Sequence, residues 1–161
     1  MNLVYDLDGV LRWLTAEQRN FIMPDHWDDP MPNGQSVIEY FNERPHEVTY
    51  SPVTPYYPVI IKDRHRDSPT ILTHQMEKWI PYTEKWIHVY IPQAKVIYVK
   101  KPEEKLEYVN SFPDTYLVED YPNFKDNSKV ILISYPYNSE VKDCFCRIRE
   151  PEELNYLLEA I

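Results

Sequence analysis

The sequence predicts an α/β fold of the doubly wound, Rossmann-like class, with a mostly parallel central sheet. Short runs of β-branched and apolar residues alternate along the chain with segments of helical periodicity. These runs lack the polar alternation of a half-exposed strand, so both faces of each strand are expected to be covered. The chain has 161 residues, 43% of them hydrophobic, which fits one domain with a substantial core.

Five strands are expected, and each of them ends in polar residues. They comprise residues 3–5, 71–72, 96–99, 116–118 and 130–133. Strands that alternate with helices form parallel sheets with helices on both faces, because each crossover returns the chain to the same edge of the sheet. The polar residues that follow the strands should therefore gather at one edge.

Three helices are expected to follow the second, third and fifth strands, beginning at Pro81, Pro102 and Pro151. Proline is tolerated in the first turn of a helix because the N–H that it lacks would have no helical partner there. Each helix carries an apolar stripe that can pack on the sheet. The stripes consist of Tyr82, Trp86, Val89 and Tyr90; of Leu106 and Val109; and of Leu154, Leu157, Leu158 and Ile161.

A segment of different composition, residues 12–69, separates the first two strands and is rich in Pro, Asp, Tyr and Trp. Two short helices are predicted within it, at about 36–42 and 55–62. The segment has too little apolar sequence for an independent core, so it is expected to form a small cap insertion over the edge of the sheet. Its basic run, residues 62–66, is interrupted by Asp63 and is expected to be a solvated face.

The composition excludes several classes of function. The formal net charge is −9, and an acidic surface repels polyphosphate, so no stable long nucleic-acid partner is expected. The chain has only two glycines, which excludes the glycine-rich loops of dinucleotide sites and Walker phosphate sites. No apolar stretch approaches the length of a membrane helix, so no membrane partner is expected.

The two cysteines, Cys144 and Cys146, are too close in sequence to bridge comfortably and make no disulfide framework. They are expected to be small residues of a strand in a reducing compartment. The chain also begins without the basic and apolar regions of a signal peptide. These features predict a cytoplasmic protein.

Carboxylates, a hydroxyl and an ammonium group are expected at the carboxyl edge of the sheet, where open parallel sheets bind their ligands. These groups belong to Asp6, Asp8, Thr73, either Lys100 or Lys101, Glu119 and Asp120. Carboxylates buried together repel one another unless a cation joins them, and oxygen ligands alone suit magnesium rather than zinc. The expected cofactor is therefore Mg²⁺.

A metal ion, an anion site and a carboxylate directed at the anion are the components of phosphoryl transfer. Asp6 would attack phosphorus and form an aspartyl-phosphate, while Asp8 would protonate the leaving oxygen and later deprotonate water. Gly9 would let the chain turn so that backbone N–H groups face the phosphate. The sequence thus predicts a Mg²⁺-dependent phosphomonoester hydrolase.

Four segments, in chain order, resemble the motifs of phosphatases of the haloacid dehalogenase (HAD) superfamily. Residues 6–11 resemble motif I, Thr73 resembles motif II, Lys101 with Pro102 resembles motif III, and residues 117–123 resemble motif IV. Residues 133–138 are similar to the segment after motif IV in deoxyribonucleotidase-like members. The resemblance implies a HAD-type core with a reduced cap.

The resemblance also implies a role for each matching residue. Asp6 would be the nucleophile and Asp8 the acid/base. Asp120 would bind Mg²⁺ directly and Glu119 through water, with Asp6 and the Asp8 carbonyl completing the ligands from the protein. Thr73 and Lys101 would hold the phosphate, and His74, the neighbour of Thr73, is expected to pack or cap.

Four aromatic residues of the insertion, Trp13, Trp27, Tyr56 and Tyr57, are candidates for stacking on a nucleobase. Alternatively, they seal the insertion onto the sheet. The expected substrate is a small phosphorylated molecule, in particular a nucleoside monophosphate. The alternatives are a phosphatase of polynucleotide termini or of a phosphoprotein, and a non-catalytic receiver-like or binding module.

Overall fold

A computed structural model of the chain describes residues 1–62 and 68–161 and contains a six-stranded sheet in which every pair of neighbours is parallel. The strand order is β3-β2-β1-β4-β5-β6. This is the order of the Rossmann fold, so the predicted fold class is confirmed. The strands are β1 (Asn2–Tyr5), β2 (Thr70–His74), β3 (Lys95–Val99), β4 (Thr115–Glu119), β5 (Val130–Ile133) and β6 (Cys146–Ile148).

Helices cover both faces of the sheet. They are α1 (Val37–Glu43), α2 (Tyr57–Lys62), α3 (Ile80–Tyr90), α4 (Glu103–Asn110) and α5 (Pro151–Ala160). Short 3₁₀ turns occupy Pro45–Tyr50, Glu77–Trp79 and Pro136–Asn138. Among the described residues, no helix combines the length and the apolar character needed to cross a lipid bilayer.

Successive residues of the strands enter two different cores, as expected when both faces of a sheet are covered. One core lies under α2, α3 and α5 and contains Tyr5, Ile71, Val118 and Ile131. The other lies under α4 and contains Val4, Leu72, Leu117 and Leu132. The strands are therefore rigidly held on both sides, which fixes the residues that follow them.

The register of β1 places the first acidic residue of the chain beside β4. Tyr5 pairs with Ile71 of β2 and with Val118 of β4, and the Asp6 N–H donates to the Val118 carbonyl at 2.9 Å. Asp6 and Glu119 therefore lie side by side at the carboxyl ends of neighbouring strands. The strand order reverses between β1 and β4, and ligands of doubly wound sheets bind at such a switch point.

The segment between β1 and β2 has two parts. The first part packs with the 3₁₀ turn before α3 around a small core of Met31, Phe41, Val48 and Trp79. The second part, α2, instead covers the sheet beside α5. The helices predicted at about 36–42 and 55–62 correspond to α1 and α2. Most of the basic run predicted to be a solvated face lies outside the described residues.

Two details of the predicted elements differ from the structure. Val89 was expected in the apolar stripe of α3, but its side chain is 68% exposed, and the buried face consists of Thr83, Trp86 and Ile87. That face is rotated because Trp86 is anchored from two sides: its indole N–H donates to the Ser51 carbonyl at 2.7 Å and its ring stacks on Tyr90. The sixth strand, β6, contains Cys146, as expected, whereas Cys144 lies outside it; with only three residues this strand shows no periodicity in the sequence.

Candidate active site

Three buried carboxylates meet at the carboxyl ends of β1 and β4. Asp6 directly follows β1, Glu119 ends β4 and Asp120 follows it. One carboxylate oxygen from each residue lies within 4.8 Å of the other two. Their exposed fractions are 6%, 0% and 2%, so water does little to screen the repulsion among them.

Lys105 of α4 supplies a positive charge inside this cluster. Its Nζ lies 2.7 Å from Asp6 Oδ1 and 2.8 Å from Glu119 Oε2, and the residue is 4% exposed. Although burial alone would lower it, these two carboxylates raise the pKa of Lys105 above its ordinary value. One ammonium group therefore faces three carboxylates.

The excess of negative charge in this cluster is reflected in the pKa values of its three acids. Burial, followed by the charge of Glu119, raises the pKa of Asp6 well above its ordinary value. Burial, followed by the charge of Asp6, raises the pKa of Asp120 to about 7. Burial also raises the pKa of Glu119, although Lys105 opposes this shift. The cluster is thus short of positive charge.

Neighbouring groups fix the orientation of Asp120 and leave one of its oxygens without a partner. The Tyr137 hydroxyl donates to Asp120 Oδ2, and the Asn138 amide donates to the Asp120 carbonyl at 2.9 Å. Asp120 Oδ1 is buried and has no hydrogen-bond partner. A buried oxygen without a donor is costly, and a hard divalent cation would satisfy it. The all-oxygen donor set of Asp6, Glu119 and Asp120 fits Mg²⁺ better than a thiophilic metal.

Gly9 allows the loop after β1 to pass close to Asp120. Its φ is +86°, in the left-handed region, and a Cβ at this position would lie 2.1 Å from Asp120 Oδ2. Any side chain here would collide with the carboxylate. The Tyr135 hydroxyl donates to the Gly9 carbonyl at 2.7 Å and holds the loop in place.

Asp8 stands outside the group of three carboxylates and is held by Arg12. Arg12 Nε and one terminal nitrogen of its guanidinium donate to the two Asp8 oxygens at 2.5 and 3.0 Å. Gln75 Nε2 donates to Asp8 Oδ2 at 2.7 Å and to Thr73 Oγ1 at 2.8 Å. Asp8 and Thr73, which belong to different strand ends, are therefore joined through one amide group.

A cavity of about 480 Å³ opens over the acidic cluster, a volume suited to a small ligand. Its lining includes the carboxylates of Asp6, Asp8, Glu119 and Asp120, together with Lys105. Much of the remaining wall is apolar or aromatic and includes Trp13, Leu14, Met23, Trp27, Val37 and Met76. Trp27 rests edge-on against the rings of Tyr121 and Tyr137, with 5.3 Å between ring centroids in each case.

The structure brings most of the candidate residues to this cavity. Its lining includes Asp6, Asp8, Gly9, Trp13, Trp27, His74, Glu119 and Asp120. Thr73 is buried next to Gln75 and reaches Asp8 through it.

Three candidate residues lie elsewhere, and the sequence-based assignment of each is corrected as follows. Tyr56 is 5% exposed in the core under α2, and Tyr57 donates to the Tyr90 carbonyl near the opposite edge of the sheet. Lys101 is exposed just before α4, and the lysine that contacts Asp6 is Lys105, one helical turn later. The reason is the face of α4: Lys105 precedes the buried Val109 by four residues, so both point inward.

Sequence reasoning also missed Arg12, Gln75 and Tyr137, which contact the acids from outside the four motifs. Two of them carried a signal: Arg12 lies four residues after Asp8, and Tyr137 belongs to the segment 133–138 that resembles the one after motif IV. A scan of the sequence against models of known protein families found no match, and a comparison with curated proteins found none either. The interpretation of this site therefore depends on its geometry and on the motif resemblance.

Proposed function

We propose that the protein is a Mg²⁺-dependent phosphomonoester hydrolase of the HAD type that works through an aspartyl-phosphate on Asp6. One observation carries the proposal. Three buried carboxylates share a single lysine, and one oxygen of Asp120 is left without any partner. A divalent cation would correct both deficits, and it would lie beside the carboxylate that the motif resemblance assigns as nucleophile.

Asp6 and Asp120, with Glu119 and the Asp8 carbonyl, are the groups that would hold Mg²⁺. When bound, the ion supplies positive charge that offsets both the carboxylates and the transferring phosphoryl group. Lys105 keeps Asp6 and Glu119 in place through hydrogen bonds of 2.7 and 2.8 Å, and its own charge favours an incoming phosphate. Burial of the cluster limits competing attack by water.

The reaction then has two steps. Asp6 attacks phosphorus, the bond to the leaving oxygen breaks, and the phosphoryl group is carried on the Asp6 carboxylate. Asp8 also lines the cavity, and because its carboxylate accepts hydrogen bonds from Arg12 in this structure, it must first take up a proton from solvent. It gives that proton to the leaving oxygen and takes one from the water that hydrolyses the intermediate. Thr73 contributes a hydroxyl to hold the phosphate.

The favoured substrates are nucleoside monophosphates. The cavity volume of about 480 Å³ suits a small molecule, and Trp13 and Trp27 offer aromatic surface to a base. Stacking of this kind contributes about 1–3 kcal/mol per base. The net charge of −9 weighs against polynucleotide substrates. The strand order also differs from the 2-1-3-4-5 order of the fold that receiver domains adopt, which favours a hydrolase over a receiver-like module.

The test is phosphate release from a panel of mononucleotides, sugar phosphates, phosphopeptides and 5′- or 3′-phosphorylated oligonucleotides, with Mg²⁺ and with EDTA. We expect Mg²⁺-dependent release that is fastest on mononucleotides. Asp6→Asn should abolish it, by about 10⁴-fold or more. Asp114→Asn changes an exposed acid in the same way and should have no effect.

Preference for an oligonucleotide or a phosphopeptide would replace the substrate assignment and keep the chemistry. Release that persists in Asp6→Asn, or no Mg²⁺-dependent release from any substrate, would contradict the proposed reaction.

A further inference from the structure

A buried polar network lies behind Asp8 and Thr73, and the reaction proposed above leaves it without a role. It consists of Arg12 and Thr83, both 0% exposed, and Gln75, which is 7% exposed. Polar groups buried this deeply are costly unless every donor and acceptor is matched. Their arrangement therefore fixes the direction of each hydrogen bond in the network.

The Gln75 amide can adopt only one orientation. Its Oε1 accepts from a terminal nitrogen of Arg12 at 3.0 Å and from the Thr83 hydroxyl at 3.0 Å. A guanidinium has donors only, so the face of the amide toward Arg12 must be the carbonyl. Thr83 in turn accepts from Arg12 at 3.2 Å, which leaves its own hydrogen for Gln75.

The amino end of Gln75 is consequently turned toward the reacting groups. Gln75 Nε2 donates to Asp8 Oδ2 at 2.7 Å and to Thr73 Oγ1 at 2.8 Å. Because Thr73 accepts this hydrogen bond, its own hydroxyl hydrogen is left to donate to another group. Asp8 receives hydrogen bonds from Gln75 and Arg12 together, so its carboxylate is held in one orientation.

We propose that Gln75 is a positioning residue that sets the direction of hydrogen bonding at Thr73 and Asp8, so that Thr73 donates to the phosphate and the Asp8 carboxylate is held, together with Arg12, in one orientation. The inference rests on the proposed function. Arg12 and Thr83 act behind Gln75 by holding its carbonyl end. Gln75 itself touches neither substrate nor metal.

Two substitutions separate this role from a merely structural one. Gln75→Glu keeps the shape and can still accept from Arg12 and Thr83, but it presents an acceptor to Asp8 and Thr73 and draws the Thr73 hydrogen toward itself. Gln75→Met removes all four hydrogen bonds yet leaves the Thr73 hydroxyl free to rotate toward the phosphate. If Gln75 sets the direction of the hydrogen bonds, Gln75→Glu should lower the activity more than Gln75→Met. If Gln75 is only structural, Gln75→Met should lower it more.

The experiment measures kcat/KM on a mononucleotide and the affinity for inorganic phosphate by calorimetry with Mg²⁺, alongside thermal unfolding of each variant. We expect kcat/KM to fall about 100-fold in Gln75→Glu and about tenfold in Gln75→Met, with phosphate affinity following the same order. In a Thr73→Val background the effect of Gln75→Glu on phosphate affinity should largely vanish, because coupled residues are not additive.

Equal losses in the two variants, the reverse order, or full additivity with Thr73→Val would each overturn the inference. If Gln75→Glu does not fold, the additivity of Gln75→Met with Thr73→Val decides instead. A wild-type protein that binds phosphate without hydrolysing any ester would contradict the proposed function alone, and the phosphate affinities would still test Gln75. A wild-type protein that neither binds phosphate nor hydrolyses an ester would contradict both the proposed function and the role of Gln75.

Discussion

At the scale of single residues, Lys105 limits how far the acidic cluster destabilises the folded protein. Lys105 balances part of the negative charge of Asp6 and Glu119 and is buried with them. Removing one partner of a buried ion pair leaves an uncompensated charge, which costs more than the pair itself contributes. Lys105 is therefore needed for the stability of the protein without metal.

We expect Lys105→Met to destabilise the EDTA-treated protein by about 3–5 kcal/mol and to remove most of the proposed phosphatase activity. Added Mg²⁺ should restore more stability to this variant than to the wild type, because the ion then supplies the only positive charge in the cluster. The measurement is chemical denaturation with and without Mg²⁺, together with the activity assay.

Lys101→Met is the matched control, since Lys101 is exposed and lies one turn before Lys105. It should leave both the unfolding free energy and the activity close to the wild-type values. A larger loss of activity in Lys101→Met than in Lys105→Met would return the phosphate-binding role to Lys101 and refute the assignment made from the structure.

At the scale of single elements, the loop after β1 shows how tightly the site is built. Gly9 and Gly34 have almost the same φ, +86° and +88°, in the left-handed region. Only Gly9 faces an obstacle, because a Cβ there would lie 2.1 Å from Asp120, whereas nothing lies within 4 Å of the corresponding position at Gly34. The two glycines form a natural pair for comparison.

Gly34→Ala should cost only the strain of a left-handed alanine, about 1–2 kcal/mol, and should keep the activity. Gly9→Ala should cost clearly more and should abolish Mg²⁺ binding and phosphate release, because the loop or Asp120 must move. Unfolding free energies and Mg²⁺ titration calorimetry test this. Equal effects of the two substitutions would show that the contact between Gly9 and Asp120 is unimportant.

The elements also show how far sequence reasoning extends. Asp6 and Glu119 were predicted to meet because apolar runs marked the ends of β1 and β4, and parallel strands end at one edge. Local sequence does not report the direction in which a helix returns across the sheet. Tyr56 and Tyr57 were therefore expected beside the substrate, although they lie in the core and near the opposite edge.

Lys105 and Gln75 were missed for different reasons. Lys101 was chosen because the proline that follows it resembles a motif. The inward direction of Lys105 depends instead on the rotation of α4 about its axis, which is fixed by packing and not by local sequence. Gln75 has no signal, since its role arises from Arg12 and Thr83, which are distant in sequence. The fold and the acidic cluster were thus predictable, while the groups that orient the acids were not.

Across the whole molecule, the site is a source of instability that a metal ion would relieve. Charges held together at a functional site cost folding free energy, and the surrounding core must offset that cost. Two cores, one on each face of the sheet, hold β1 and β4, the strands that carry the acids. The protein without Mg²⁺ should therefore be measurably strained by its own carboxylates at neutral pH.

The dependence of stability on pH follows from the direction of the pKa shifts. The pKa of Asp120 is raised by burial and by the charge of Asp6 to about 7, and burial raises that of Asp6 well above its ordinary value. The native state then binds more protons than the unfolded chain between about pH 4 and pH 7, so stability falls as the pH rises through that range. Burial lowers the pKa of His74, which lines the same cavity, and this shift opposes the trend.

We expect the melting temperature of the EDTA-treated protein to fall by several degrees between pH 5 and pH 8, corresponding to a few kcal/mol. Saturating Mg²⁺ should flatten the curve, because the ion stabilises the ionised acids and binds only the native state. Asp120→Asn should flatten it without Mg²⁺, whereas Asp114→Asn, at an exposed acid, should leave the slope unchanged. A melting temperature that rises from pH 5 to pH 8 in EDTA, or a slope that Asp120→Asn does not alter, would show that these acids do not share the strained cluster on which the proposed metal site depends.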